Sequence, residues 1–218
     1  MGIARRIAVT AEAAAMGLSL AAPASALTDT EAGEFVDKLT ASYNDPTVSS
    51  DGNAYDFDIV TKAALATGAV DTLASLNAFT LFAPNDRAFE VLANDLGLLG
   101  KNYRFGASVN ETRVFNAIKG AADQGKVNLT DVLLYHVVPN AKVTGSQVLS
   151  GPFTQRLTMA NEDSLRVTVL SRSARFPVIV LGDRDGKLLN DLVYRPDVIS
   201  TDNTVVHAVS DVLLPPSN

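Results

Sequence analysis

The stretch "FTLFAPNDRAFEVL", Phe79 to Leu92, holds two opposite patterns side by side. Its first part, Phe79 to Ala83, is a short apolar run stopped by Pro84. A compact run of this kind, closed by a breaker, reads as a buried strand. Asn85 or Asp86 comes after the proline and supplies a side-chain oxygen for the free N–H groups of a new helix, "DRAFEVLANDL". The reading is therefore strand, abrupt stop, capped helix.

Working outward, "YDFDIVTKAALATGAVDTLASL" places Ile59, Ala63 and Ala66 on one helix face. Asp56 or Asp58 caps its start, Gly68 ends it, and a short second helix carries Val70 and Leu73. Residues 97–110 are glycine-rich and polar, a loop, and "ETRVFNAIKGAADQG" is an amphipathic helix. "LLYHVVP", Leu133 to Pro139, reads as another buried strand with His136 in its middle. "QRLTMA", "SLRVTVLSR" and "FPVIVLGD" read as strands and "GDRDGKL" as a hairpin turn. "TDNTVVHAVSDVLLP" reads as a long strand ending at Pro215. Helices come first, strands later, and no βαβ alternation occurs. That order predicts an α+β fold with a largely antiparallel sheet.

The chain has 218 residues and is 47% hydrophobic, enough for one well-buried domain. Its net charge of −6 argues against nucleic acid, which needs clustered cations to displace phosphate counterions. The absence of cysteine excludes disulfides, thiolate nucleophiles and Cys-ligated zinc. The first 26 residues begin with Arg5 and Arg6, continue in a weakly apolar run, and end in Ala24-Ser25-Ala26. That is the layout of a secretory signal cleaved after Ala26. Residues 27–54 read as a helical extension and linker, and 55–218 as the core domain. The C-terminus has no apolar tail, so no integral membrane anchor is expected after cleavage.

Three motifs now stand in sequence over residues 55–216. "FTLFAPNDRAFEVL" resembles the first motif of fasciclin (fasciclin I / beta-Ig-H3) domains, "LLYHVVP" their Tyr-His motif, and "NTVVHAVSDVLLP" the motif that closes the domain. The resemblance implies a wedge-like β-sandwich of seven strands with helices packed around it. It marks Asn85, Asp86, Phe89, Tyr135, His136 and His207 as structural family positions. It also implies binding at cell surfaces or in matrix rather than catalysis. Asn203-Thr204 stands where relatives carry Asn-Gly.

The chemistry agrees. No G-x-S-x-G elbow or phosphate-binding glycine motif is present. Asp183 and Asp185 lack the alternating oxygen ligands of a calcium loop, and no metal or other cofactor is expected. His136 is expected to be buried and bonded to the turn at Asn85 and Asp86. Pro196, Asp197, Val198 and Ile199 occupy the position of a proposed integrin-recognition stretch in matrix-type relatives, though Arg195 replaces its usual acid. Asn110 and Asn128 head glycosylation sequons. The expectation is a secreted, extracellular or periplasmic binding module. Its partner is a protein or cell surface, or a second copy of itself. The alternative is a carrier of a carotenoid or similar apolar ligand.

Overall fold

Strand β1, Phe79–Pro84, is buried along its whole length. Phe79, Leu81 and Ala83 pack into a cluster under the helices, while Phe82 joins a second cluster on the opposite face. Strand β7, Thr204–Val209, is equally buried and runs parallel to β1, Phe82 opposite His207. Both faces of this pair are covered, so both strands read as near-continuous apolar runs, interrupted only by the buried Thr80, Thr204 and His207.

The structure, a computed structural model, describes residues 51–183 and 191–216. The expected signal segment, nearly all of the 27–54 extension and Asp185 lie outside the described residues. In chain order the elements are α1 (Asp58–Thr67), α2 (Ala69–Ala74), β1, α3 (Asp86–Asp95), α4 (Glu111–Asp123), α5 (Leu129–Leu134), β2 (Val137–Pro139), α6 (Gly145–Ser150), β3 (Thr154–Thr158), β4 (Ser164–Arg172), β5 (Pro177–Gly182), β6 (Leu192–Ser200) and β7. The strands form one sheet in the order β2-β1-β7-β6-β5-β4-β3. Every neighbouring pair is antiparallel except β1 and β7.

This mixed sheet corrects the expectation of a two-sheet sandwich. It curls until its two edges meet, and the Ala160 N–H just after β3 donates to the Val137 carbonyl in β2 at 2.8 Å. The curl encloses the second cluster, with Tyr135, Met159, Leu165, Val167, Ile179 and Leu181. Helices α1, α3, α4 and α5 cover the outside of β1 and β7 through Ile59, Phe89, Val114, Ile118 and Leu133. In β4 buried and outward residues alternate, as a strand covered on one face requires.

Local signals account for the boundaries. Gly68 ends α1 in the left-handed conformation, φ 70°. Asn128 and Asn110 each accept an N–H from the first turn of the next helix, at 3.2 and 3.1 Å, so both sequon asparagines are helix caps. "LLYHVVP" proves mixed: Leu133 and Leu134 finish α5 and only Val137 onward is strand. The closing strand stops at Val209, well short of Pro215. The Thr201–Thr204 turn needs no glycine. The Thr201 hydroxyl accepts the Thr204 N–H at 3.0 Å, and neither Asn203 nor Thr204 takes a positive φ.

Candidate functional site

His136 is fully buried, but its partners are not the Asn85 turn. Its Nδ1–H donates to the Val132 carbonyl at 2.7 Å, and its Nε2 accepts the Leu213 N–H at 2.9 Å. Val132 lies in the last turn of α5, where carbonyls lack helical partners, so the imidazole caps that helix. The backbone completes the tie, since Phe82 N–H donates to the His136 carbonyl at 2.9 Å. One residue thus joins α5, β1 and the segment after β7. The missed partners are backbone atoms, which no side-chain motif reveals. Burial pushes the His136 imidazole down to about 4, against the pull of the Val132 bond. Tyr135 is also buried, and its hydroxyl donates to the Ser164 carbonyl at 3.3 Å.

His207 is the mirror case. Its Nε2–H donates to the Val143 carbonyl at 2.8 Å, and its Nδ1 accepts the Asp197 N–H at 3.1 Å. Burial lowers its pKa, while the Val143 bond and the Asp197 carboxylate, 3.6 Å away, oppose the shift. The two histidines are therefore neutral in opposite tautomers, both fixed by backbone groups.

Asp197 sits in an irregularity of β6 with φ 54°, and its carboxylate accepts the Gly145 N–H at 2.9 and 3.1 Å. Ile199 is core, Pro196 and Val198 are half-buried, and only Asp197 is exposed, its side chain by 36%. The Pro196–Ile199 stretch thus presents one committed carboxylate rather than an open acidic loop.

Asn85 and Asp86 divide the expected capping role. Asn85 Oδ1 accepts the Ala88 N–H of α3 at 2.9 Å, and its amide donates to the Tyr194 hydroxyl at 3.1 Å. Asp86 reaches elsewhere. Its Oδ1 accepts the Ile59 N–H at 2.9 Å, so it caps α1 in place of Asp56 or Asp58. Phe89, one turn on, is fully buried between these helices and the sheet. Replacing Asn85 with Ala is expected to cost about 1 kcal/mol in urea unfolding, the usual value of an N-cap. Burial, then Asp56 and Glu111, push Asp86 up to about 9, against the Ile59 bond. Burial, then Asp58, Asp51 and Glu111, push Asp56 up to about 7.

A surface that sequence reading missed lies where β4 meets β3 and turns into β5. Phe153, Leu170 and Phe176 are 63%, 56% and 67% exposed. The Arg172 guanidinium lies 4.0 Å from the Phe153 ring centroid, and Arg175 lies 5.4 Å from that of Phe176. The Phe153 carbonyl accepts the Val169 N–H at 2.7 Å, and the Phe176 carbonyl accepts the Ser171 hydroxyl at 2.9 Å. Arg172 also donates to the Gly151 carbonyl. The available signal was a phenylalanine inside each of two turn segments, "SGPF" and "SRSARFP", where no core needs it.

The fasciclin-domain family model matches residues 55–215. This chain belongs to the fasciclin-domain family. The structure is similar to that of a FAS1 domain pair from the insect cell adhesion molecule fasciclin I, with a TM-score of 0.50 and 15% identity. The match covers 76% of this chain and 46% of that one, so this fasciclin domain spans about half the length of the solved pair. Likeness at this identity concerns the fold alone. No curated protein matches the chain. Fasciclin domains are adhesion-related modules, generally extracellular or surface-associated, that act through protein contacts. Among the described residues no helix is long and apolar enough to cross a membrane.

Proposed function

We propose that this fasciclin domain is an exported, non-catalytic binding module that attaches to a protein surface through its Phe153–Leu170–Phe176 corner. The observation that supports this reading is the exposure of three large apolar side chains beside two ring-stacked arginines. Exposed apolar groups grouped on one corner mark interaction sites, and Phe and Arg are enriched in them. Both histidines, the natural candidates for acid–base chemistry, are occupied by backbone groups. Pro196–Ile199 is the weaker adhesion surface, because Ile199 is core and the Asp197 carboxylate is held by Gly145.

A carotenoid carrier finds less support. An apolar recess between α1, α2, α5 and β1, lined by Val60, Leu73, Leu81 and Leu133, encloses about 30 Å³, close to the volume of one water.

The test is attachment of the full chain to native surface extract, wild type against a Phe153→Ser/Phe176→Ser variant. The variant is expected to bind at least about tenfold more weakly, with a melting temperature near that of the wild type. Unchanged attachment would remove the corner from the reading. Visible absorption by protein purified from its native source would instead establish the carrier.

A further inference from the structure

His207 faces a single residue that offers it both a donor and an acceptor. Its Nδ1 accepts the Asp197 N–H at 3.1 Å, and the Asp197 carboxylate stands 3.6 Å from the same nitrogen. Its Nε2–H is committed to the Val143 carbonyl at 2.8 Å. A proton added to Nδ1 would set one N–H against another, and the new donor would need an acceptor. The imidazole is buried, and the Phe82 ring beside it, 5.4 Å between centroids, is no substitute for an oxygen. The acceptor within reach is the Asp197 carboxylate. That carboxylate is already engaged with the N–H of Gly145, the first residue of α6.

We propose that His207 and Asp197 form a latch that holds α6 against β6 at neutral pH and releases it in acid. The neutral imidazole takes the Asp197 N–H, and with Asp197 so turned its carboxylate reaches Gly145. The imidazolium takes the carboxylate instead, and Gly145 loses its acceptor. Asp197 can make the exchange because no ladder pair pins it. The register of β6 on β7 passes from Arg195–Ala208 to Ile199–Val206 without it. Its φ of 54° is a left-handed conformation that costs a non-glycine residue free energy, so turning out of it relieves the backbone. Helix α6 has little else to hold it. Of its six residues only Gly145 and Val148 are buried, and a helix that short does not persist without tertiary contacts. Gly145 packs directly against Pro196, so release exposes both.

The charges around His207 leave the response to Asp197. Strands β1 and β7 and helix α6 bring no other charged side chain. Strand β6 adds Arg195, which is exposed, and Tyr194, whose hydroxyl accepts the Asn85 amide. The segment before α6 adds Lys142, whose ammonium donates to the Thr201 carbonyl. Burial lowers the His207 pKa in the closed latch, while an imidazolium paired with the Asp197 carboxylate is favoured. The proton therefore binds the open form more tightly. The closed latch is complete above about pH 6.5 and is lost as pH falls below that value.

The test is NMR of the isotope-labelled full chain from about pH 7.5 to about 5, following the His207 ring and amide hydrogen exchange at Gly145. Protection of Gly145, corrected for the intrinsic effect of pH, should fall about tenfold or more at the pH where His207 titrates. The Leu213 amide, held by His136, reports unfolding and should keep its protection. Asp197→Asn keeps an oxygen for Gly145 and tolerates the positive φ, but offers no charge to the imidazolium. In that variant His207 should titrate at lower pH, and Gly145 should stay protected over the same range. Gly145 protection that holds constant while His207 titrates would overturn the proposal, as would a His207 that stays neutral down to about pH 5. Joint loss at Gly145 and Leu213 would mean acid unfolding and no latch. An Asn variant that opens at the wild-type pH would take Asp197 out of the mechanism and overturn it too.

Discussion

Substituting His136 with Ala is expected to destabilise this fasciclin domain by about 3–4 kcal/mol in urea at neutral pH. The imidazole is fully buried and satisfies two backbone groups at once, the Val132 carbonyl and the Leu213 N–H. Each group left without a partner costs roughly 1–3 kcal/mol, and the emptied volume adds a cavity cost. The loss should appear as a lower urea midpoint with an unchanged slope. Attachment to the native surface should persist in the fraction that stays folded. A stable variant that no longer attaches would make His136 a contact residue and sink the structural reading.

The same residue has a pH signature. Its folded pKa of about 4 lies below the ordinary histidine value, so the unfolded chain binds the proton more readily. Protonating Nε2 would also set a second proton against the Leu213 N–H. The stabilisation is therefore complete above about pH 6.5 and is lost as pH falls toward 4. Over that interval the wild type should lose about 3 kcal/mol that the Ala variant does not. The gap between the two proteins should narrow to about 1 kcal/mol near pH 4. A gap that stays constant with pH would mean that His136 titrates normally. Taking the difference between the two proteins removes the opposite contribution of Asp86. Its raised folded pKa favours the native state at low pH, an advantage lost as pH rises through about 9.

Much of the helical layer and of the β1 and β7 core was legible, because it rests on local rules. Phe79–Pro84 is a run that a proline must end, and Asn85 caps α3 directly behind it. Strand β6 was not legible. Pro196 and the positive φ of Asp197 fall in its middle, and the segment looks like a turn until the irregular pairing with β7 is seen. The sheet's curl was hidden too, since closure rests on one backbone bond between Ala160 and Val137. At the site level, His136 was recognisable as a buried tie, but its partner Leu213 lies 77 residues away and contributes only an N–H. The carboxyl cluster around Asp86 was invisible for a related reason. Asp51, Asp56 and Asp58 each read as a loop or cap residue, and Glu111 as the start of a helix. Their sum appears only when α4 packs beside α1.

Gly145→Ala is expected to destabilise the domain by about 2–3 kcal/mol, the opposite of what its helical position predicts. Gly145 opens α6 behind a capping box from Thr144 and Gln147, and Ala in a helix normally gains up to about 1 kcal/mol over Gly. Here an added Cβ would stand 2.8 Å from Pro196 Cβ and 3.1 Å from Asp197 Oδ2. Neither atom retreats easily. Pro196 is a rigid ring within β6, and Asp197 is fixed by its N–H bond to His207 Nδ1. Relief therefore requires α6 to lift away from β6, which breaks the Gly145 N–H bonds to the Asp197 carboxylate. Overpacking of this kind costs about 1–3 kcal/mol, and a lost charge-assisted bond adds to it. The chain has two histidines, so NMR can track His207 separately. If the bulge shifts and admits water, the His207 pKa should rise toward the ordinary value as its desolvation falls. An Ala variant of wild-type stability or better, with His207 unchanged, would show that β6 yields at this point. Asp197 would then be a free surface carboxylate, and the Pro196–Ile199 stretch would regain its claim as the adhesion surface.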